Sequence, residues 1–485
     1  MSSPHGVVII GAGFGGIGMA IRLKQEGVHD LVVLEKADEV GGTWRDNTYP
    51  GAACDVPSHL YSFSFAPKSD WTRRFPAQQE ILRYLRDCAD AHRVTPHIRF
   101  GSEVLEAVFD EDAGVWRIRT TAGELSARVL ISACGQLSRP SMPAIEGLGT
   151  FAGKGFHSAR WDHDYDLTGK RVAVIGTGAS AIQFVPPVAE RAGRMHVFQR
   201  SAPYVIDKPD RPYAEWERAL LRRVPALQAL HRAKIYLSYE SRIAAFVKYP
   251  QLMDRAAKVT LRRLAEQVAD RDLRRALIPD YPMGCKRILL SGDYYRALTR
   301  PGVELVTDPI ERITPTGVVT RDGKERTVDA IIYGTGFDAG AFLAPMRITG
   351  RDGLELNEAW REGAQAYLGI TVSGFPNLFL LYGPNTNLGG NSVIFMLESQ
   401  IRYILGCVAA IRRHGLAWID VRPEVQRAFV EDVQERMRAT VWNRGCSSWY
   451  TDERGRHVAN WPGFTVAYRR ATRRPDPRDF QVRTA

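Results

Sequence analysis

The sequence predicts an α/β protein built from two similar sheet-and-helix units, the second of which carries a helical insertion. Two segments, beginning at Val7 and at Arg171, each show an apolar run, a glycine-rich turn and an amphipathic stretch. Such an order is typical of the βαβ units of a parallel sheet. Residues 206–284 lack glycine-rich turns and are rich in Ala, Leu and Arg, which indicates helices. We therefore expect two Rossmann-like dinucleotide-binding domains and an inserted helical segment.

The first unit opens with a buried strand and a G-x-G-x-x-G turn, whose glycines are Gly11, Gly13 and Gly16. The first glycine makes the tight turn, the second lets backbone N–H groups approach a pyrophosphate, and the third lets helix and strand pack closely. A second apolar strand ends in Glu35, followed by Lys36. A carboxylate at that place accepts hydrogen bonds from an adenosine ribose and repels a 2′-phosphate. This unit is predicted to bind an unphosphorylated dinucleotide such as FAD.

The second unit repeats the pattern as G-x-G-x-x-A, and its predicted cofactor contacts are Gly176, Gly178, Ser180 and Ala181. Arg200, followed by Ser201, lies 24 positions after the first glycine, at the same spacing as Glu35 in the first unit. A guanidinium pairs with a phosphate through two hydrogen bonds. The second unit is therefore predicted to bind NADPH. The alternative is that Arg200 is a solvated loop arginine.

A third pair of strands, at residues 128–135 and 329–336, supports the duplication, since each ends in a small-x-Gly turn. Two nucleotide sites of different charge imply hydride transfer from nicotinamide to flavin. Thiol–disulfide reductases of similar layout use a cysteine pair near the flavin. The six cysteines are far apart and show neither C-x-x-C nor metal-ligand spacing. The sequence thus predicts no redox dithiol, no metal, and O2 as the electron acceptor.

Composition and charge exclude several other classes. The chain has 45% hydrophobic and 25% charged residues, which excludes disorder and low-complexity repeats. Its net charge of +11 admits nucleic acid, anionic lipid or a phosphate-bearing cofactor as a partner. Residues 206–284 hold 16 basic against 10 acidic side chains, and residues 464–485 hold 6 against 2, so a solvated basic surface explains most of the excess. We expect no nucleic acid, no membrane insertion, no cleaved leader, and a cytoplasmic location.

Two further segments carry a family resemblance. Residues 41–55 read G-G-T-W-R-D-N-T-Y-P-G-A-A-C-D and include Gly42, Thr43, Trp44 and Asp55. Residues 151–162 read F-A-G-K-G-F-H-S-A-R-W-D and include Phe151, Gly153, His157 and Trp161. The two segments resemble the fingerprints of the type I Baeyer–Villiger monooxygenases, with every specified position filled. Flavin-containing N- or S-monooxygenases share the frame of the second but typically have another residue in place of Trp161.

The resemblance implies a catalytic pair. Asp55 would lie beside the flavin and hold a catalytic arginine, which is Arg287 by the similarity of its segment to the family's Lys-Arg pair. A guanidinium that is always charged stabilises a peroxyflavin anion and the anion of its ketone adduct. Lys286 would join Arg200 on the 2′-phosphate. The alternative is that Asp55 and Arg287 form a plain salt bridge between loops.

Other residues receive roles from the same resemblance. Trp449 would fold over the nicotinamide and exclude water, with simple core packing as the alternative. Apart from the resemblance, Asn387 lies in a strand–turn–helix segment whose helix N-terminus can offer backbone N–H groups to the flavin ring or to the pyrophosphate. The residues of the second fingerprint are expected to be architectural, and for His157 direct acid–base chemistry is the alternative.

The function that follows is an FAD- and NADPH-dependent Baeyer–Villiger monooxygenase. It would insert one oxygen atom of O2 into a ketone through a C4a-peroxyflavin, giving an ester or lactone. Oxygenation of amine nitrogen or sulfide sulfur is the alternative reaction, and a non-enzymatic flavoprotein scaffold is a further one. The predicted domains are an FAD domain at 1–150 and 346–485, an NADPH domain at 151–205 and 285–345, and the insertion at 206–284. Neither the ketone nor the oligomeric state can be read from the sequence.

Overall fold

The computed structural model describes residues 3–340, 342–446, 448–452 and 454–484. The strands are His5–Ile10 (β1), Leu31–Leu34 (β2), Ile98–Arg99 (β3), Val104–Asp110 (β4), Val115–Thr120 (β5), Gly123–Ser132 (β6), Lys154–His157 (β7), Arg171–Ile175 (β8), Arg194–Phe198 (β9), Val205–Ile206 (β10), Leu289–Leu290 (β11), Val303–Val306 (β12), Ile310–Ile313 (β13), Gly317–Thr320 (β14), Glu325–Thr327 (β15), Ala330–Tyr333 (β16), Arg347–Thr349 (β17), Leu378–Leu380 (β18), Leu416–Val421 (β19) and Phe480–Thr484 (β20). The α-helices are Phe14–Gln25 (α1), Thr43–Asp46 (α2), Gln78–Ala91 (α3), Ala181–Ala189 (α4), Glu215–Arg223 (α5), Pro225–Val247 (α6), Gln251–Gln267 (α7), Arg271–Ala276 (α8), Tyr294–Leu298 (α9), Leu356–Ala359 (α10), Val393–His414 (α11), Pro423–Arg438 (α12) and Thr465–Ala471 (α13). Short 3-10 turns lie at Thr95–His97, Ser158–Arg160, Arg351–Gly353, Val441–Asn443 and Pro477–Asp479.

The first sheet has the order β17-β4-β5-β6-β1-β2-β3, and β18 also pairs with β6. Strand β1 is parallel to both β2 and β6, so the glycine turn after β1 lies at the carboxyl edge between them. Strands β17 and β18 come from the C-terminal half of the chain. The chain therefore leaves this sheet after β6 and returns to it after the second sheet is complete.

The second sheet is parallel and has the order β12-β9-β8-β16-β7. Its central strand β8 is apolar and buried from Val172 to Ile175, as the continuous apolar run predicts. An antiparallel ribbon of β13, β14 and β15 is inserted between β12 and β16. Two Rossmann-like sheets are thus present, and the predicted fold class is confirmed.

Helices α5 to α8 form the predicted helical segment between the strands of the second sheet. Helix α6 is fastened to the C-terminal part of the chain through the buried side chain of Glu240. Its Oε2 accepts hydrogen bonds from Asn391 Nδ2 at 2.8 Å and from Thr465 Oγ1 at 2.6 Å. The inserted helices are therefore held against the first sheet's domain as well as their own.

Helix α11 is long and apolar enough to cross a membrane by length and composition, but 67% of its most apolar window is buried within the protein. Ser392 caps its start, and Gly415 ends it with a φ of 57°. Its buried stripe packs on α1 in the core, as the helical spacing of apolar residues predicts.

Candidate active site

The first glycine turn leaves space beside the backbone. Gly11 has a φ of 101°, and a Cβ atom there would lie 2.8 Å from the carbonyl oxygen of Ala133. A Cβ on Gly16 would overlap with the carbonyl oxygen of Gly11. At Gly13 the nearest atom to such a Cβ would be the Cα of Gly42, at 3.8 Å. The turn therefore packs tightly against the sheet and is open where a diphosphate would approach.

Glu35 is fixed at the end of β2, where it is 4% exposed. Its Oε2 accepts a hydrogen bond from Ala12 N at 2.8 Å, and its Oε1 accepts from Ala37 N and from Arg45 Nη1, both at 3.0 Å. A carboxylate has about four lone-pair sites, so one is left for a ribose hydroxyl. The neighbouring Lys36 is exposed.

The second glycine turn has the same geometry as the first. Gly176 has a φ of 108°, and a Cβ atom on it would lie 2.5 Å from the carbonyl oxygen of Gly334. Gly334 occupies the same place in the second unit as Ala133 in the first. A Cβ on Gly178 would meet nothing closer than 4.0 Å. Ser180 directly precedes helix α4, and Ala181, its first residue, is fully buried.

The two cations predicted to hold the 2′-phosphate lie on neighbouring segments. Arg200 follows β9 and is exposed, and Ser201 is half-buried. Lys286 is half-buried, with its Nζ 4.5 Å from the centre of the Tyr281 ring. Arg200 precedes β10 and Lys286 precedes β11. Because these two strands are parallel, both residues approach the same end of the two-stranded ribbon.

An ion pair joins the first fingerprint to the segment after the helical insertion. Arg287 Nη2 donates to Asp55 Oδ2 at 2.5 Å, and the two side chains remain 38% and 26% exposed. Burial would raise the pKa of Asp55, but the charges of Arg287 and Lys208 outweigh it and hold that pKa below its usual value. The pKa of Arg287 is raised, chiefly by the carboxylate of Asp55. Both groups are therefore charged at neutral pH, and part of the guanidinium is accessible.

Three residues beside this pair were missed by sequence reasoning: Lys208, Tyr382 and Tyr450. The pKa of Lys208 is lowered by burial, and its Nζ lies 5.2 Å from the centre of the Phe75 ring. The phenol groups of Tyr382 and Tyr450 add to the raised pKa of Arg287, after Asp55. Tyr450 could have been suspected from its place next to Trp449. Nothing in the local sequence singles out Lys208 or Tyr382.

Tyr382 and Asn387 form one hydrogen-bonded unit. Tyr382 has a φ of 62°, in the left-handed region, and its hydroxyl donates to Asn387 Oδ1 at 2.6 Å. Asn387 Nδ2 in turn donates to Asn460 Oδ1 at 2.7 Å. The predicted cofactor residue Asn387 is thus engaged with protein on both sides of its amide, and it orients Tyr382.

Trp449 lies at the surface of the same region and is 36% exposed. Its ring is tilted against Tyr450, with 4.6 Å between the ring centres, and Tyr450 is itself buried. Arg444 anchors the start of this segment through Asp254 on α7, at 2.8 Å. Trp449 is therefore not a core residue, because its ring is partly exposed and packs on the buried ring of Tyr450.

The two fingerprints meet on helix α4. Tyr49 donates from its hydroxyl to Gln183 Oε1, and Gln183 Nε2 donates to Ala53 O, both at 2.9 Å. From the second fingerprint, Trp161 packs on Phe184 with 5.5 Å between ring centres. Gln183 was missed by sequence reasoning, although it links the Asp55 segment to the helix that begins at Ser180. The fingerprints thus describe a contact between the two dinucleotide units.

The other residues of the second fingerprint fix its path. A Cβ on Gly153 would lie 2.5 Å from the Phe151 ring, so the ring requires a glycine two residues on. His157 is buried at the end of β7, and its Nδ1 accepts from Ala159 N at 3.1 Å. Burial lowers the pKa of His157. A buried, neutral imidazole that holds a turn agrees with an architectural role.

One expectation from the sequence is wrong. Cys285 and Cys446, 161 residues apart, form a disulfide next to the site, with 6.2 Å between their Cα atoms. We expected no cysteine pair near the predicted flavin because the spacing shows no motif. The pair arises only from tertiary structure, where the segment that carries Arg287 meets the segment that carries Trp449.

Comparison with known proteins identifies the family. A family profile described as pyridine nucleotide-disulphide oxidoreductase matches residues 8–245. A protein of Streptomyces coelicolor named Baeyer-Villiger monooxygenase is 48% identical over 98% of this chain and 92% of its own length. A protein of the same name from Pseudomonas aeruginosa is 45% identical over 99% of this chain and 91% of its own length.

Solved structures agree with these relatives. An oxidized steroid monooxygenase bound to NADP superimposes with a TM-score of 0.89 at 33% identity, covering 100% of both chains. A cyclohexanone monooxygenase from Rhodococcus bound to NADP+ gives a TM-score of 0.90 at 30% identity, also over 100% of both chains. With identity of this level along the whole sequence, and with both fingerprints at one domain contact, the chain belongs to the family of Baeyer–Villiger monooxygenases.

Proposed function

We propose that the chain inserts one oxygen atom of O2 into a ketone, giving an ester or lactone, with FAD and NADPH as cofactors. The observation that carries this proposal is the ion pair of Asp55 and Arg287, which lies between the two dinucleotide units and keeps a guanidinium partly exposed. The family supports it, since the relatives named above are Baeyer–Villiger, steroid and cyclohexanone monooxygenases. The substrate class is thus a ketone, and O2 supplies the oxygen.

The residues at the first glycine turn fit FAD. The turn is open at Gly13, and Glu35 retains a lone pair for the ribose. Gly42, Thr43 and Trp44 lie next to that opening, since Gly42 is the nearest neighbour of Gly13. We assign the dinucleotide's diphosphate to the Gly13 side of the turn and its ribose to Glu35.

The residues of the second unit fit NADPH. Gly178 and the start of α4 would hold the diphosphate, and the charges of Arg200 and Lys286 would hold the 2′-phosphate. We propose the division into an FAD domain (1–150 and 346–485), an NADPH domain (151–205 and 285–345) and a helical insertion (206–284). The return of β17 and β18 to the first sheet supports these boundaries.

The bound flavin supplies the reaction with oxygen, and the chain supplies charge, position and exclusion of water. Arg287 stabilises negative charge on the oxygen of the ketone as that charge develops, because its guanidinium stays protonated at every working pH. Asp55 holds the guanidinium in place by one hydrogen bond and leaves its other N–H groups available. Gln183 keeps the Asp55 segment in contact with helix α4.

The aromatic residues of the C-terminal segment limit the entry of water. Tyr450 is buried and close enough to Arg287 to affect its pKa, and the partly exposed ring of Trp449 packs on Tyr450 with 4.6 Å between ring centres. In a site from which water is excluded, the charge of Arg287 acts more strongly than in water, and the loss of reduced oxygen as hydrogen peroxide is smaller. We further propose that the enzyme works without nucleic acid and without insertion into a membrane.

The test is an assay with isotope-labelled O2, NADPH, a panel of ketones and a sulfide. We expect one labelled oxygen atom in the ester or lactone for each NADPH consumed. Label that appears only in the sulfoxide would replace the proposal with heteroatom oxygenation. Absence of label from every organic product, while flavin and NADPH are both bound, would contradict a monooxygenase.

A further inference from the structure

The disulfide between Cys285 and Cys446 joins two segments that the proposed reaction needs together. Cys285 comes two residues before Arg287, and Cys446 comes three residues before Trp449. The bond therefore connects the segment that carries Arg287 to the segment that carries Trp449. It spans 161 residues of sequence, so the two segments have no other short covalent connection.

The Trp449 segment is also held by the buried ring of Tyr450 and by a backbone hydrogen bond from Val458 N to Tyr450 O at 3.0 Å, whereas its ion pairs are weak tethers. Arg444 pairs with Asp254 at 2.8 Å, but the two side chains are 35% and 47% exposed. Arg454 pairs with Glu362 at 3.4 Å, and these side chains are 57% and 63% exposed. Exposed ion pairs of this kind contribute about 0–1 kcal/mol each and are screened by salt. A covalent bond in the same segment is a far firmer restraint.

The partner segment of the bond is buried and tightly packed. Cys285 is fully buried, and its N–H closes a turn on Pro282 O at 3.1 Å. A Cβ atom on Gly284 would lie 3.3 Å from both methyl groups of Val441, so the turn packs directly on the residues that lead into the Trp449 segment. Because the disulfide joins the Trp449 segment to this turn, the turn fixes where that segment lies relative to Arg287.

We propose that the Cys285–Cys446 disulfide is a positioning element of the active site. It keeps the Trp449 segment against the Arg287 segment while the ketone is oxygenated, and its opening lets the Trp449 segment move away and admits water. Part of the NADPH is then consumed in forming hydrogen peroxide instead of ester. This inference rests on the proposed function, which supplies the ester and the peroxide that are compared.

Opening the bond requires a reductant, since the two sulfur atoms must gain two electrons and two protons. A dithiol such as dithiothreitol supplies both and leaves as its own cyclic disulfide, so atoms and electrons balance. Cys446 is half-buried, whereas Cys285 is fully buried. The thiolate of the reductant therefore attacks the sulfur of Cys446, and Cys285 is the leaving group.

The experiment compares the air-purified enzyme, the same enzyme after treatment with dithiothreitol, and the variants Cys446→Ser and Cys285→Ser. Hydrogen peroxide and ester are measured per NADPH consumed, with a ketone that the enzyme accepts. We expect the peroxide share to rise at least about threefold in all three opened forms, because the cover over the site is released. Dithiothreitol should add nothing in the variants. Cys88→Ala, at a free cysteine in α3, is the matched control and should behave as the untreated enzyme.

A second readout does not need turnover. Trypsin cuts after Arg454 or Arg456 when this segment is mobile, and the products are identified by mass. We expect cleavage of the cofactor-loaded enzyme to be about tenfold faster once the bond is open, since proteolysis follows the population of open segment. The reductant acts on folded enzyme, so this arm does not depend on a variant folding.

Three results would overturn the inference. Alkylation could find both cysteines as thiols in air-purified enzyme, or the peroxide share could stay constant when the bond is opened, or the tryptic rate could stay constant. If the untreated enzyme forms no ester from any ketone, the proposed function fails, and the tryptic rate alone then decides the role of the disulfide.

Discussion

Replacement of Arg200 by Gln tests the assignment of the phosphate-bearing nucleotide to the second unit. Arg200 is exposed, so its interaction with the 2′-phosphate is screened by water. Two unit charges about 4 Å apart interact by about 1 kcal/mol in water, and the phosphate carries about −1.5 to −2 charges. The loss is then about 2 kcal/mol, which corresponds to an approximately 10- to 30-fold fall in kcat/KM for NADPH. Because NADH lacks the phosphate, its kcat/KM should not change.

The assay measures kcat/KM for NADPH and for NADH, and the ratio of the two is the quantity of interest. Lys286 remains in the single variant, so some preference for NADPH survives, and Arg200→Gln combined with Lys286→Gln should lower the ratio further. Arg194→Gln is the matched control, because Arg194 begins the same strand β9 and its side chain is 61% exposed. An unchanged ratio in Arg200→Gln, or an equal loss of kcat/KM with both nucleotides, would show that Arg200 does not bind the 2′-phosphate.

Three further predictions concern cofactor binding and stability. Gly16→Ala should abolish FAD binding, because the new methyl group would overlap with the backbone of the first turn; a variant that keeps its full flavin absorbance would contradict this. Gln183→Leu should lower the free energy of unfolding by about 1–3 kcal/mol, measured by denaturant titration, because two hydrogen bonds across the domain contact are lost. Burial raises the pKa of Asp420 in the folded protein to about 6, whereas its pKa in the unfolded chain is about 4. Protonated Asp420 therefore contributes to the free energy of unfolding below about pH 4, and this contribution is lost as the pH rises through 6. Relative to Asp420→Asn, the wild-type protein should therefore lose about 2 kcal/mol of stability between about pH 4 and pH 7, and parallel stability curves would exclude this.

The parts of the protein that depend on local sequence were predicted well. Each glycine turn is encoded within about a dozen residues, because strand, turn and helix follow one another directly. The prediction that the units are duplicated is reflected in the contacts, since Gly11 meets Ala133 as Gly176 meets Gly334. The family and the fold class are confirmed, because both fingerprints are continuous stretches of the chain.

The parts that depend on distant contacts were not predicted. Gln183 sits in the middle of α4 without any local signal, yet it joins the two units because Tyr49 and Ala53 approach it in space. Lys208 lies close enough to Asp55 to affect its pKa because the loop after β10 crosses to the first domain, where the carboxylate of Asp210 accepts hydrogen bonds from Arg73 Nε and Phe75 N. The disulfide was missed for the same reason, since 161 residues separate its sulfur atoms along the chain. Periodicity and spacing report on residues that are close in the sequence, so they do not predict contacts between residues that are far apart in it.

We propose that the guanidinium of Arg287, held by Asp55, stabilises the charge that develops during ketone oxygenation. The direct measurement is ester formation by Arg287→Ala with NADPH and O2, after the bound FAD has been quantified. We expect a yellow protein with its full complement of FAD that forms no ester, because the positive charge in the site is lost. An ester yield equal to that of the wild-type enzyme would remove Arg287 from the mechanism.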